Sequence, residues 1–273
     1  MPNIDWNASD YQKHFSFVPS YGESVMELLT KPEGAFVVDL GCGNGMLTKK
    51  LAEKGYHVLG VDDSETMLRL AEKNCSGISF QKGNAVDFSL KQKADAIFSN
   101  AVLHWIDAKD QQKMLDNICH QLVLGGEFVC EFGGYGCAEQ VHSTLEKCFA
   151  AHGMTYPRVF YFPTIGTYAP MLEQAGFRVE YASLFDRPTV QEGRDGLADW
   201  ISMFVKTPFL GMDEFSKKGN CSGNCRNVTG YALAGGSLVR RLCTDTVSSS
   251  TGEIVMVLPV IHIVWIKRTE KER

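Results

Sequence analysis

Between Ala35 and Phe132, short apolar runs alternate with stretches whose apolar residues recur at helical spacing. Ala35–Leu40 (AFVVDL), apolar but for Asp39, reads as a buried strand. Leu47, Leu51 and Ala52 then share a helical face, and Gly55 is a natural stop. His57–Val61 (HVLGV) predicts a second strand. After it, Ser64 can cap a helix that has Glu65 in its first turn and Met67, Leu70 and Ala71 on one face. Ile78–Gln81 reads as a short strand and Ala94–Ser99 (ADAIFS) as a clearer one. Leu115, Ile118 and Leu122 mark the next helix, and Gly125-Gly126 turns the chain into Glu127–Phe132, where Phe128, Cys130 and Phe132 alternate. Strands separated by helices pair in parallel through right-handed crossovers. The expected class is α/β: a Rossmann-like, doubly wound, mostly parallel sheet with helices on both faces.

The pattern loosens after Phe132. Val141, Leu145, Cys148 and Phe149 predict one amphipathic helix, and Thr167 to Ala175, closed by Gly176, another. Arg178–Leu184 (RVEYASL) reads as a strand, and Leu197, Trp200, Ile201 and Phe204 as a further helical stripe. Ile254–Ile266 is β-branched but interrupted by Pro259, which suggests an edge strand or a bulge. With no repeat and no domain-sized linker, a single domain over 1–273 is expected. It would comprise an N-terminal arm and helix (1–34), a ligand-binding core (35–132), and a helical cap inserted after the fifth strand together with C-terminal strands (133–273).

Composition narrows this little. The chain has 273 residues, 44% of them apolar, enough for a substantial core. No apolar run reaches bilayer length and the first twenty residues carry no apolar core of a secretory signal, so a cytoplasmic location is expected. A net charge of −5 without a basic stripe argues against nucleic acid as a partner. The nine cysteines are scattered; Cys42, Cys75, Cys119, Cys130, Cys137 and Cys148 read as reduced thiols in apolar patterns. Cys221 and Cys225 have no neighbouring His or second pair, so no metal is expected.

The informative string is Asp39-Leu40-Gly41-Cys42-Gly43-Asn44-Gly45, a glycine turn between a strand and a helix. Such turns sit at the carboxyl edge of a parallel sheet, where these folds bind nucleotides. Dinucleotide enzymes use G-x-G-x-x-G, whose third glycine would fall on Met46; here it falls on Gly45. No lysine follows at phosphate-loop spacing. Asp62, 21 residues after Gly41, can accept both hydroxyl protons of a ribose, whereas Asp63 suits an N-cap or turn.

V-D-L-G-C-G-N-G resembles the first motif of the class I S-adenosylmethionine-dependent methyltransferases. With WNASDY, LGVDDSETML, FSNAVLHWI and GGEFVCEFGG, the chain is similar to their trans-aconitate methyltransferase-like branch, from about Trp6 to Asp213. YFPTIGTYAPMLEQAGF and LFDRPT extend the likeness. The resemblance implies S-adenosyl-L-methionine as cofactor and a small-molecule methyl acceptor. It puts Asp39, Gly41 and Gly43 around the methionyl moiety and Asp62 on the ribose. It sets Asn84 and Ala85 at the adenine, with Met67 over one adenine face unless it is plain core, and the turn from Asn100 beneath the cofactor. It folds an arm bearing Trp6 and Tyr11 over the site.

Methyl transfer is an in-line displacement from a cationic sulfur, so alignment matters more than acid–base help. A carboxylate nucleophile needs no base; a hydroxyl or amine can use one. His104 is the candidate base, or else a packing residue of its turn. Acceptor-pocket candidates are Tyr11, His14, Trp105, Tyr161, Arg187 and Trp200. Arg187, just past a strand, could grip a carboxylate or pair with Asp186, and Trp200 fits a core stripe as well as a pocket.

After Lys218 the family pattern breaks. GNCSGNCRNVTGYALAGG has no helical period, and a one-base slip in its codons can turn Gly-Asn-Cys into Glu-Ile-Val, so a reading-frame shift behind residues 218–250 is the expectation. O-methylation of a small carboxylic acid is the leading reading. Base methylation of nucleic acid is demoted because Ser99-Asn100-Ala101-Val102 lacks the Pro-Pro-aromatic turn. A nicotinamide oxidoreductase is weakened by Met46, and a catalytically impaired or non-enzymatic binder of the cofactor is the alternative.

Overall fold

A computed structural model describes residues 18–151, 153–191, 196–209 and 254–269. Trp6, Tyr11, His14, Cys221, Cys225 and the 218–250 stretch lie outside the described residues. The elements are α1 (Val18–Met26), β1 (Phe36–Leu40), α2 (Met46–Glu53), β2 (His57–Asp62), α3 (Glu65–Asn74), β3 (Ser79–Lys82), β4 (Ala94–Asn100), α4 (Gln111–Gln121), β5 (Leu122–Gly133), α5 (Glu139–Ala151), α6 (Ile165–Ala175), β6 (Phe177–Gln191), α7 (Gly196–Phe204) and β7 (Ile254–Lys267). Two compact units emerge. One runs to Tyr135 and resumes at Phe160–Phe185 and from Val260; the other takes Gly136–Val159 and the described part of Asp186–Pro259.

The sheet has seven strands in the order β3-β2-β1-β4-β5-β7-β6. β1 to β5 are parallel, as the alternation with helices demands, and β7 returns antiparallel to β5. Side-chain alternation sorts each strand's residues onto two faces. Val38, Ile97, Phe128, Cys130, Ile261, Ile263 and Trp265 pack with Met114, Leu115 and Ile118 of α4 and Tyr168 and Leu172 of α6. Val37, Ala96, Phe98, Val129 and Val264 pack with Val25, Met26 and Leu29 of the α1 region and Leu47 and Leu51 of α2. Each fully buried aromatic or branched aliphatic side chain stabilises by about 1.5–3 kcal/mol, so the two layers fix which face every strand residue takes.

The caps explain the helix boundaries. Ser64 Oγ accepts from Met67 N to start α3, and Gly176, at φ 102°, ends α6 in the left-handed conformation. Four expectations are corrected. Leu122 opens β5 rather than closing α4. β5 begins ahead of the Gly125-Gly126 pair, which coincides with a register shift between Ala94 and Ala96 on β4. Arg187 lies inside β6, not beyond it. β7 is flanked by β5 and β6, so it is no edge strand. Its ladder with β5 ends at Gly133–Val260, one residue short of Pro259, whose missing N–H therefore costs no hydrogen bond to β5.

Candidate cofactor and acceptor site

The site is built where the carboxyl ends of β1, β2 and β4 converge. Gly41, at φ 78°, turns the chain out of β1, and its N–H donates to Val61 O at 2.7 Å. A methyl group on Gly41 would sit inside the Val102 side chain, so the β1 and β4 turns can touch only with glycine here. Gly45 precedes α2 at φ 81°, and a Cβ there would lie 2.8 Å from Cys75 Sγ and 3.1 Å from Ala71 Cβ. The third glycine of the string therefore lets α2 start hard against α3.

Asp62 locks this turn to the end of β2. One carboxylate oxygen accepts Gly43 N–H at 2.9 Å and the other Ser64 N–H at 2.8 Å. Burial raises its carboxyl above the usual range, and the two backbone hydrogen bonds pull the other way. Asp39 is buried and accepts the Thr48 hydroxyl at 2.6 Å. Burial pushes its carboxyl up to about 7, against the Thr48 hydrogen bond and with help from the charge of Asp62. Met67 and Ala85 are both buried. The acceptor oxygen of Asn84 is already engaged by Val86 N–H at 3.0 Å, and its amide donates to Asp63 at 3.0 Å. Asp63 therefore braces Asn84 and does not cap α3.

The β4 turn holds two oddities. Ala101 takes φ 60°, a left-handed conformation costly for a residue with a side chain, and its N–H donates to Glu131 O at 2.8 Å. Asn100 Oδ1 is buried without a hydrogen-bond partner among the described residues. Beyond it, Leu103–Trp105 form a short 3-10 turn. His104 Nδ1 accepts Gly133 N–H at 3.1 Å, which leaves the proton of the neutral ring on Nε2. Burial lowers the imidazole to about 4 against the pull of Glu131. With Nδ1 occupied, the neutral ring presents an N–H at Nε2.

The pocket candidates separate. Trp105 lies beside His104 and meets Phe160 edge-on with centroids 4.6 Å apart; Phe162 is 5.7 Å from the imidazole. Tyr161 N–H donates to His104 O at 2.9 Å, but its ring packs on the core and its hydroxyl faces Met171 Sδ at 3.9 Å. Trp200 is buried on α7 against Phe204, and Arg187 is on β6; both belong to the second compact unit. Cys42, Cys75, Cys119, Cys130 and Cys137 are free and buried, with burial raising the Cys42 and Cys130 thiols. Among the described residues no helix is long and apolar enough to cross a membrane.

Glu131 and His262 were not foreseen. They face each other in register across β5 and β7 and are hydrogen-bonded through Glu131 Oε2 and His262 Nε2. The available signal was a charged residue at a buried-face position of two apolar strands, GEFVCEFGG and VLPVIHIVWIK.

Residues 37–126 match the family model described as a methyltransferase domain. An uncharacterized methyltransferase of Schizosaccharomyces pombe is 31% identical over 216 residues, covering 76% of this chain and 82% of the relative. A trans-aconitate 2-methyltransferase of Variovorax paradoxus is 25% identical over 218 residues, covering 76% of this chain and 82% of its own. A solved S-adenosylmethionine-dependent methyltransferase of Methanosarcina mazei superposes with a TM-score of 0.54 at 16% identity, over 90% of this chain and 98% of that one, a likeness of fold alone. The chain belongs to the class I S-adenosylmethionine-dependent methyltransferases. Within them it falls in the trans-aconitate methyltransferase-like branch, and its cofactor is S-adenosyl-L-methionine rather than a nicotinamide.

The residues present fit that cofactor. A buried acceptor left unsatisfied costs about 1–3 kcal/mol, and the cofactor's ammonium and sulfonium-activated C–H groups are donors that Asn100 Oδ1 lacks. Asp62 keeps a partly exposed carboxylate for a diol.

Proposed function

We propose that the enzyme methylates a carboxylate oxygen of a small organic acid. The observation that carries this is the state of His104: the imidazole beside the cofactor turn spends its basic nitrogen on Gly133 N–H. A carboxylate is the acceptor that needs no base. Relatives named trans-aconitate 2-methyltransferases, at 25% and 26% identity over 76% of the chain, support the same class.

In this reading Asp62 takes the ribose hydroxyls, Met67 and Ala85 border the adenine, and the exocyclic amine goes to the Asp63–Asn84 pair. Asp39, Gly41, Gly43 and Asn100 surround the methionyl end. The bound cofactor supplies a methyl group on a cationic sulfur. His104 offers Nε2–H to an acceptor oxygen, and Trp105, Phe160 and Phe162 wall off water. The test is transfer of labelled methyl to trans-aconitate and a panel of C4–C6 mono- and dicarboxylic acids. An alkali-labile product, the mark of an ester, is expected; alkali-stable label would select a hydroxyl or amine acceptor.

Two predictions follow from the protonation states. His104→Gln keeps an acceptor for Gly133 N–H and a donor beyond it, so kcat should fall by less than about tenfold, where loss of a general base costs about 10²–10⁴. A hundredfold loss in steady-state kcat would restore His104 as the base.

The second concerns Asp39. Burial pushes its carboxyl up to about 7 in the folded chain, well above the ordinary aspartate range. Its stabilising share is thus complete below about pH 4 and is lost as pH rises through 7, when a buried carboxylate must form. A positive charge arriving beside it reverses that cost. S-Adenosylhomocysteine, which carries an ammonium, should therefore release up to about one proton on binding at pH 6. Calorimetry in buffers of different ionisation enthalpy should show the release, and Asp39→Asn should abolish it.

A further inference from the structure

Leu103–Trp105 form a 3-10 turn, in which residues three apart eclipse one another. Leu103 and Ile106 therefore share one side of the turn, and both are buried in the core that α4 and α6 cover. His104 and Trp105, between them, are partly exposed. One side chain holds the buried side. Gln111, the first residue of α4, donates from Nε2 to Leu103 O and to Ile106 O, both at 2.8 Å. Its Oε1 accepts the Tyr168 hydroxyl of α6 at 3.0 Å. Gln111 and Tyr168 are both fully buried. Gln112 donates to Met171 O at 3.1 Å, so the two helices that carry the pair are themselves joined.

The chemistry of the amide fixes its orientation. It has two N–H donors and one carbonyl, so only one way round satisfies two carbonyls and a hydroxyl. Reversed, its oxygen would face two other oxygens. Burial pushes the Tyr168 phenol well above its ordinary value, so the hydroxyl keeps the proton that it donates. An amide and a phenol inside a core cost stability unless they are bonded, and apolar side chains would fill the same space without that condition. What the pair adds is direction. Val102 O accepts Trp105 N–H at 2.9 Å, Leu103 O accepts Ile106 N–H at 3.2 Å beside the Gln111 amide, and His104 O accepts Tyr161 N–H at 2.9 Å. The chain enters this turn through Ala101 at φ 60°, a conformation that persists only where the surroundings over-determine it.

We propose that Gln111, oriented by Tyr168, is the positioning residue that aims the Leu103–Trp105 turn, and with it the His104 imidazole and the Trp105 ring, at the methyl acceptor. The inference rests on the proposed placing of His104 and Trp105 beside the acceptor, and not on which atom of the acceptor is methylated. No proton moves in this role. Gln111 acts through the two carbonyls that flank His104 and Trp105. His104 Nδ1 accepts Gly133 N–H at the end of β5, so the imidazole is held by the sheet through its ring and by α4 and α6 through its backbone. Without the amide, the ring bond has to hold the turn by itself.

The test compares wild type, Gln111→Met and Tyr168→Phe, each as the full chain, with Ile118→Ala as a control that opens a cavity further along α4. The ¹⁵N resonances of His104, identified by their loss in His104→Gln, should show at pH 6 a neutral ring protonated on Nε2 in wild type and in Ile118→Ala. Gln111→Met should gain imidazolium signal at that pH, as the ring leaves Gly133 N–H and the burial that lowers it against the pull of Glu131. For whichever of trans-aconitate, the acid panel and the corresponding primary alcohols is methylated, kcat should fall roughly ten- to hundredfold in Gln111→Met and less in Tyr168→Phe, the scale of a misplaced reacting group. His104→Gln changes one side chain and leaves the turn in place, so its expected loss is smaller. Affinity for S-adenosylhomocysteine should stay within about threefold, because Asp62 and the glycine turn are untouched. An unaltered His104 spectrum in folded Gln111→Met overturns the positioning role. So does an Ile118→Ala control that matches its melting loss and reproduces both changes. A spectrum that moves while kcat does not takes His104 and Trp105 away from the acceptor, and the inference falls with that placing. An alcohol acceptor removes the carboxylate reading alone, and the same spectra and kcat values still decide the role of Gln111. Should neither variant fold, amide exchange in the unaltered protein decides: Trp105, Ile106 and Tyr161 N–H should exchange as slowly as the buried amides of α4, and faster exchange overturns the inference.

Discussion

Asp62→Ala will lower affinity for S-adenosylhomocysteine by at least about a hundredfold, and Asp62→Asn will do little better. Two losses add. One carboxylate oxygen holds Gly43 N–H and the other Ser64 N–H, so the side chain fixes both the glycine turn and the start of α3. The lone pairs left over are those proposed for the ribose diol. Hydrogen bonds to a charged group contribute about 1.5–3 kcal/mol each, so losing the diol contact alone gives roughly ten- to hundredfold, and loosening the turn adds to it. Asparagine fails because it has one acceptor oxygen. Its amide would point an N–H at the N–H of Gly43 or Ser64, and one backbone donor would be left facing another donor. Calorimetric titration of both variants, beside a melting curve to show that each is folded, checks this. An Asn variant that binds as wild type would mean that the charge and the second oxygen are dispensable, and that Asp62 is not the ribose ligand.

The cofactor half of the molecule was legible in the sequence because its signals are local. A buried parallel strand is largely apolar, a positive-φ turn favours glycine, and a helix start wants a capping hydroxyl; Val37, Val38 and Leu40, Gly41 and Ser64 announce themselves by residue type alone. The placement of the third glycine has a longer-range cause, the space that Cys75 and Ala71 leave beside Gly45. The β5–β7 side of the sheet was less legible because its geometry is set by pairing. Nothing near His262 in sequence says that it will face Glu131, 131 residues away. That encounter depends on β7 entering beside β5 in one antiparallel register, and a slip of one residue would turn His262 to the other face. Pro259 misled for the same reason: proline argues for an edge strand unless its N–H falls just past the end of the ladder, as it does here. What engages the His104 ring is a single backbone donor, Gly133 N–H, delivered by a strand whose end could not be located from periodicity. The side-chain oxygen of Asn84 is claimed within its own turn by Val86 N–H, which residue type alone does not show.

Gly41→Ala should be the most damaging glycine-to-alanine change among the described residues, and pairing it with Val102→Ala should recover only part of the loss. Two separate costs are involved. The first is steric: the added methyl would occupy the space of the Val102 side chain, where the β4 turn rests on the β1 turn. Overpacking of this kind costs about 1–3 kcal/mol. The second is conformational: the residue sits at φ 78°, and a non-glycine residue in the left-handed region costs about 1–2 kcal/mol whatever surrounds it. The Val102→Ala partner makes room for the methyl and leaves the φ cost untouched. Melting midpoints of the four proteins of this cycle should therefore show a positive coupling between the two sites, with the double variant still below Val102→Ala alone. Function should suffer more than stability. The chain can relieve the clash by moving the β4 turn, but that turn carries the strained Ala101, the unsatisfied Asn100 and the peptide that leads to His104. Cofactor affinity should accordingly drop in Gly41→Ala by more than its melting shift accounts for. If affinity and stability fall together and the double variant restores both, the glycine serves packing alone and the β4 turn is free to move without consequence for the site.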